Sequence, residues 1–275
     1  MVGTIGTVAS NQLTQEYTRI LSQSNVALSG VRPSYINQLK QDRLVRSLKQ
    51  DGSWNFIDVL YILANDEGTG NFALLNWVNP SLYSLTRINS PGFISNRGYT
   101  SAGTTAFLSS SWAPSNGVNF QQNSASFGGM IYNTPDTTGS ALIGTNGAAQ
   151  SQVYMIPRAA SSYRTTLNNA TLNSFNVPQS PQNFMARRVL GAFRSQSANY
   201  DQFYASSSTL NGINVPTAAS TTRTAQQINI LSALQTATRL YGGTNTASMA
   251  WFGGYEIRNR LTTFTSSMTT YINSI

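Results

Sequence analysis

The chain contains no cysteine and no histidine. The first absence excludes disulfide staples and thiolate metal or redox sites. The second removes the commonest general base and the imidazole that a Ser-His-Asp triad requires. Charge is also scarce: charged residues make up 9% of the chain, against about 25% in ordinary soluble domains. The carboxylates are Glu16, Asp42, Asp51, Asp58, Asp66, Glu67, Asp136, Asp201 and Glu256. No apolar run approaches the roughly 20 residues that span a bilayer. The opening MVGTIGTVASNQLTQEY lacks a basic region followed by a long apolar core. Neither a signal peptide nor a membrane span is expected.

What the chain does have is length and a polar, uncharged surface. At 275 residues it can bury roughly three quarters of its unfolded surface, enough for one large core without metal or cross-links. Ser, Thr, Asn, Gln and Gly stand in for the missing charge, which suits the outward positions of exposed β-strands. The formal net charge is +8, and every basic residue but Lys40 and Lys49 is arginine. That excess implies solubility or an acidic protein partner. No dense basic arm or nucleic-acid motif accompanies it, so nucleic acid is not an expected partner.

Along the chain, residues 1–31 read as a polar segment with one short helix around Gln12–Gln23, where Leu13, Tyr17, Ile20 and Leu21 fall at helical spacing. A second helix is predicted from about Pro33 to Gln50, with Ile36, Leu39, Leu44 and Leu48 as its apolar face and Asp51-Gly52 as its stop. The run Phe56–Ala64, FIDVLYILA, reads as a strand buried on both faces or a short buried helix running into one. After the turn NDEGTGN, FALLNW (Phe72–Trp77) resumes the apolar pattern. Short strand-like segments then recur to ASMAWFG, punctuated by Gly, Pro or Asn, with no helical pattern between them. At the end, Ile257, Leu261, Phe264, Met268, Tyr271 and Ile275 define an amphipathic helix. The expected fold is mainly β: an antiparallel jelly-roll sandwich with an N-terminal helical segment and a C-terminal amphipathic helix. Asn96, Gly98 and Gly103 mark hairpin turns that need positive φ, while Tyr99, Phe107 and Trp112 fill the space between sheets.

The ordered set SWNFIDVLYILA, ALLNW, LTRINSPGFISNRGYTSAGTTAFLSSSWAPS, NSASFGGMIYNT and the closing MAWFGGYEIRNRLTTFTSSMTTYI resembles a group of phage virion proteins with a concanavalin A-like, or laminin-G-like, sandwich. The resemblance covers about Arg32 to Ile275 and is vague between Gly147 and Thr222. It implies a jelly-roll domain at 32–275 with flanking helices and a place in a virion as a tail, fibre or exposed head component. The first thirty residues fall outside it, and the polar segment 1–31 is the candidate for anchoring or assembly. The resemblance carries over no binding residue and no cofactor.

Four constellations compete with purely structural readings. Lys40, Arg43, Arg46 and Lys49 line the outer side of the second helix, where they form either a solvated face with Asp42 as partner or a dock for an acidic neighbour. Arg188 and Arg194 share one face of the strand RRVLGAFR, with Arg187 on the other; the alternatives are an edge strand guarded by charge and a subunit contact. Trp112, Tyr132, Tyr154 and Tyr163 are the candidates for stacking a sugar, against core or interface packing. Asp66 and Glu67 decorate a turn, or help the carbonyls of Asn65 and Asn71 to hold Ca²⁺. Adjacent in sequence, they make a poor glycosidase pair, which needs carboxyls roughly 5 to 10 Å apart across a cleft. The glycine pairs Gly128-Gly129, Gly242-Gly243 and Gly253-Gly254 match no phosphate loop and read as turns.

The functional expectation is a non-enzymatic virion protein acting in particle assembly or surface adhesion, with multivalent display strengthening weak contacts. Its expected partners are other virion proteins, further copies of itself in a homo-oligomer, and host surface glycans, without membrane or cofactor. The alternatives are a lectin module that recognises cell-surface glycans and a polysaccharide depolymerase.

Overall fold

The computed structural model describes residues 12–27, 31–101, 105–133, 139–145, 153–159, 162–169, 173–176, 186–205, 210–216, 219–235 and 238–275. Two helices lead: α1 (Gln15–Ala27) and α2 (Tyr35–Gln50). The strands follow as β1 (Ile57–Ile62), β2 (Leu85–Ile88), β3 (Gly92–Ile94), β4 (Gly98–Thr100), β5 (Phe107–Ser110) and β6 (Ala125–Ile131). Next come β7 (Ile143–Thr145), β8 (Val153–Ala159), β9 (Ser162–Leu167), β10 (Asn173–Asn176), β11 (Val189–Gln196) and β12 (Asn199–Ala205). The last are β13 (Leu210–Pro216), β14 (Ile228–Ile230), β15 (Ser232–Gln235), β16 (Thr238–Tyr241) and β17 (Thr246–Gly253), before a 3₁₀ segment (Tyr255–Arg260) and α3 (Leu261–Ser274).

The strands form an antiparallel sandwich. One sheet runs β13-β12-β11-β6-β17, and beyond β17 its free side is shared end to end by β4, which pairs with Thr246 and Ala247, and β1, which pairs with Met249 to Gly253; β3 extends β4. The other sheet runs β10-β9-β8-β7-β14-β5-β2. Between them lies a core that includes Val59, Tyr61, Trp112, Phe127, Tyr163, Leu190 and Phe252. A second core covers the outer face of the first sheet, where Leu60, Ile62, Met130, Val189, Phe203 and Trp251 meet Tyr17, Ile20, Leu48, Phe264 and Met268 of the three helices. The hairpin β15-β16 caps part of the opposite sheet, with Ala233 over Tyr154 and Ile156.

This layering explains the unbroken apolar run at Phe56–Ala64. Val59, Tyr61 and Leu63 enter the inter-sheet core, while Leu60, Ile62 and Ala64 enter the helical one. Alternation of side chains along a strand forces both sets to be apolar when both faces are covered. The segment Phe72–Trp77 differs from expectation: it opens with a 3₁₀ turn at Phe72–Leu74 and plugs Phe72, Leu75 and Trp77 into the helical core.

Helix α2 starts after Ser34, whose hydroxyl accepts the amide of Asn37, and stops at Gly52, where φ is 78°. Its buried face is Asn37, Gln41, Leu44, Val45 and Leu48, rotated from the expected stripe, so Ile36 is left 61% exposed. Buried Gln41 is satisfied on both sides: its Oε1 accepts from the Tyr17 hydroxyl at 2.5 Å and its Nε2 donates to the Tyr271 hydroxyl at 3.0 Å. The expected anchoring segment therefore contributes Tyr17, Ile20 and Leu21 of α1 to the core on the outer face of the first sheet.

Two of the three glycine pairs are not turns. Gly128 and Gly129 sit inside β6, where a Cβ on Gly128 would stand 1.9 Å from the Trp251 ring. Gly253 ends β17, leaving Gly242-Gly243, with φ 57° at Gly243, as a genuine turn. Asn96 and Gly98 do take positive φ, of 59° and 113°. Gly103 lies outside the described residues. Tyr99 and Trp112 are buried between the sheets, while Phe107 is half-buried and packs against Tyr241.

Candidate functional site

Most of the acidic side chains among the described residues are tied into the architecture. Asp58 accepts the backbone amides of Val118, Asn119 and Phe120, at 3.2, 2.9 and 2.7 Å, and so pins the loop that precedes β6. Asp42 accepts the amide of Thr14 at 2.7 Å and the guanidinium of Arg46 at 2.7 Å. Glu16 pairs with Lys49, and Asp201 with Arg258 at 2.6 Å. That contact, stronger than the opposing burial, lifts the Arg258 pKa above its ordinary value. The ammonium of Lys49 likewise holds Glu16 below the usual carboxylate range.

The turn Asn65–Asn71 is organised from within. Glu67 is buried; its Oε1 accepts from the amide and hydroxyl of Thr69, and its Oε2 from the amide of Phe72 at 3.2 Å. Asp66 accepts the amide of Ser34 at 3.0 Å and so fixes the start of α2. These carboxylates serve the fold, and among the described residues no group of three or more acidic side chains gathers.

The four basic residues of α2 divide. Arg46 pairs with Asp42 one turn back on α2 and donates to the carbonyl of Gln12 just before α1, while Lys49 pairs with Glu16 of α1. Lys40 and Arg43 instead line a groove of about 340 Å³ between α2 and α3, with Ser47, Ser267, Thr270 and Tyr271. Lys40 donates to the carbonyl of Ser274. Arg43 is exposed, and no ion pair engages it among the described residues.

Arg194 corrects the expectation of a partner contact. Strand β11 is not an edge, since β6 and β12 flank it. Arg194 is completely buried on the inter-sheet side, where its Nε donates to the carbonyl of Leu167 at 2.9 Å and its Nη1 to that of Ser197. Burial lowers its pKa, and the nearby Tyr200 works against that shift. Arg188 lies over Tyr204, 5.9 Å from the ring centroid.

Of the four candidate stacking aromatics, three are inside. Trp112 packs edge-on to Phe120, at 5.7 Å between centroids, and against Phe252 at 4.9 Å. Tyr163 is fully buried and donates to the carbonyl of Gly191 at 3.1 Å; Tyr154 lies beneath the β15-β16 hairpin. Sequence could not separate these from surface aromatics, because a ring that fills a core and a ring that offers a platform look alike.

Tyr132 is the exception. Half-buried just after β6, it has the guanidinium carbons of Arg187 and Arg97 at 4.3 and 5.2 Å from its ring centroid. Its hydroxyl accepts from Arg187 Nη2 at 2.5 Å. The sequence offers Tyr132 as a stacking candidate and Arg187 as a strand charge, but not their meeting with each other and with Arg97, because the three lie far apart along the chain.

No protein-family model matches the chain, and no curated protein matches it. Among solved structures, domain 4 of a GH43 extracellular arabinanase from Geobacillus stearothermophilus, determined with arabinotriose, is similar over 76% of this chain and 98% of its own, at 8% identity and a TM-score of 0.46. A protein of unknown function from Shewanella oneidensis MR-1 is similar over 64% of this chain and 80% of its own, at 14% identity and a TM-score of 0.38. With TM-scores below 0.5, neither likeness assigns a residue or an activity to this chain.

Proposed function

We propose that the chain is a non-enzymatic structural protein of a phage particle that works in assembly or surface adhesion. The observation that carries this reading is the deployment of its carboxylates. Asp42, Asp58, Asp66, Glu67 and Asp201 each bind an amide, hydroxyl or guanidinium that fixes a loop or helix. These five carboxylates are thus engaged in holding the fold, and the excess of positive charge is left for partners. The ordered sequence resemblance to phage virion proteins supports the particle setting. The groove bearing Lys40 and Arg43 offers the assembly surface, suited to an acidic segment of a neighbouring particle protein.

The test is mass spectrometry of gradient-purified particles of the phage that encodes the chain. The expected result is the chain at a fixed copy number per particle. Its presence in the infected lysate but not in purified particles overturns the proposal.

A further inference from the structure

Three segments that are remote in sequence converge at one end of the helix-covered sheet. Tyr132 follows β6 and keeps its pairing, with its amide donating to the Thr246 carbonyl at 2.9 Å. Arg187 precedes β11, and its amide donates to the Ile131 carbonyl at 2.7 Å. Arg97 lies in the β3-β4 turn, where its carbonyl accepts the Ser248 hydroxyl at 2.7 Å. Each backbone is therefore anchored, and the side chains meet around one ring.

This arrangement gathers two positive charges around one ring. Both guanidinium carbons lie within 5.2 Å of the same ring centroid, both residues are exposed, and neither forms an ion pair among the described residues. Each guanidinium is attracted by the ring, and the two together present positive charge to an anion. Arg187 itself takes the left-handed conformation, φ 55°, as does Asn96 before Arg97, φ 59°. A non-glycine residue there costs on the order of 1 kcal/mol, strain that characteristically gathers at ligand clamps. A guanidinium that lies over an aromatic ring keeps donors free, and its planar fork matches a carboxylate.

Polar side chains lie nearby among the described residues. Asn133 is engaged with Thr244 and Thr246, and Asn96 accepts from Asn37. An apolar pocket that would anchor a peptide side chain is not formed by these groups, whereas a hydroxyl-rich chain suits such a surface. We propose that Arg97, Tyr132 and Arg187 bind the carboxylate of an acidic saccharide, a uronate or sialate unit of a surface polysaccharide. The inference deepens the adhesion half of the proposed function and rests on it.

Affinity electrophoresis of the full chain through gels containing polygalacturonate tests it. Retardation is expected from the free acid and not from its methyl ester, which keeps the sugar and loses the charge. Arg97→Gln and Arg187→Gln should each weaken retention by about tenfold, the scale of one charge-assisted contact. Arg19→Gln, the same charge change on α1, should leave it unaltered. The comparison is repeated in an Asp136→Asn background, so that a carboxylate close in sequence cannot mask the site. Equal retention of ester and acid, equal loss from Arg19→Gln, no retention in either background, or retention by polyglutamate alone overturns the assignment. Failure here leaves particle incorporation untouched, and absence from particles leaves saccharide binding measurable.

Discussion

Tyr271 of α3 donates its hydroxyl to the carbonyl of Ala64, just beyond β1, at 2.8 Å, and both groups are buried. The same hydroxyl accepts from Gln41, which in turn holds Tyr17. One chain of hydrogen bonds thus links all three helices to the strand beneath them, in a place where unpaired polar groups are expensive.

Tyr271→Phe leaves the Ala64 carbonyl and the Gln41 amide without this partner. The expected loss is about 1–3 kcal/mol in chemical denaturation. Adding Gln41→Leu and Tyr17→Phe should cost less than the sum of the single changes, because the later substitutions remove groups already orphaned. Strict additivity would mean that the three side chains do not act as a network.

Between pH 8 and about 10 stability should be flat, and beyond that it should fall. Burial raises the pKa of Tyr17, Tyr61, Tyr200 and Tyr271 above the ordinary 10, and pushes Tyr154 up to about 12. Above pH 10 the unfolded chain releases these protons while the folded chain keeps them, so rising pH favours unfolding, by up to about 1.4 kcal/mol per pH unit for each tyrosine. Denaturation midpoints between pH 8 and 11.5, read beside phenolate absorbance, check this. Denaturation midpoints that stay constant from pH 10 to 11.5 would contradict it.

Gly128→Ala should be poorly tolerated. The added methyl meets the Trp251 ring and the Leu190 carbonyl, and the strand between β11 and β17 has little room to shift. A cost of about 1–3 kcal/mol or more is expected from such overpacking. Gly68→Ala is the control, since nothing lies within 4 Å of its would-be Cβ. Comparable melting temperatures for the two variants would show that the sheet accommodates the methyl.

A chain that begins at Arg32 should lose stability and expose its helical core. It would lack buried Tyr17, Ile20 and Leu21, worth about 1.5–3 kcal/mol each, and would uncover Trp77, which packs 5.9 Å from Tyr17. Increased dye binding and aggregation on heating are the expected readouts. A truncated chain that melts like the full one would make α1 an accessory.

Sequence pattern reached those features whose cause is local. The double-sided burial of Phe56–Ala64 and the periodicity of Leu261, Phe264, Met268 and Tyr271 are written in consecutive residues. Features made by distant strands were not legible. Gly128 reads as a turn until β17 lays Trp251 across it, and Arg194 reads as surface charge until β6 and β12 enclose its strand. The convergence of Arg97, Tyr132 and Arg187 is of the same kind, because β4 and β6 meet only through β17.

The placement of α1 and α3 in a single layer has a practical result. Tyr17 near one end of the chain and Tyr271 near the other share Gln41. Labels, affinity handles or surface linkers attached beside either helix would be tethered to the same side of the molecule. The outer face of the sheet carrying β8 and β9 is then turned away from the support, and immobilised protein presents that face in a uniform orientation.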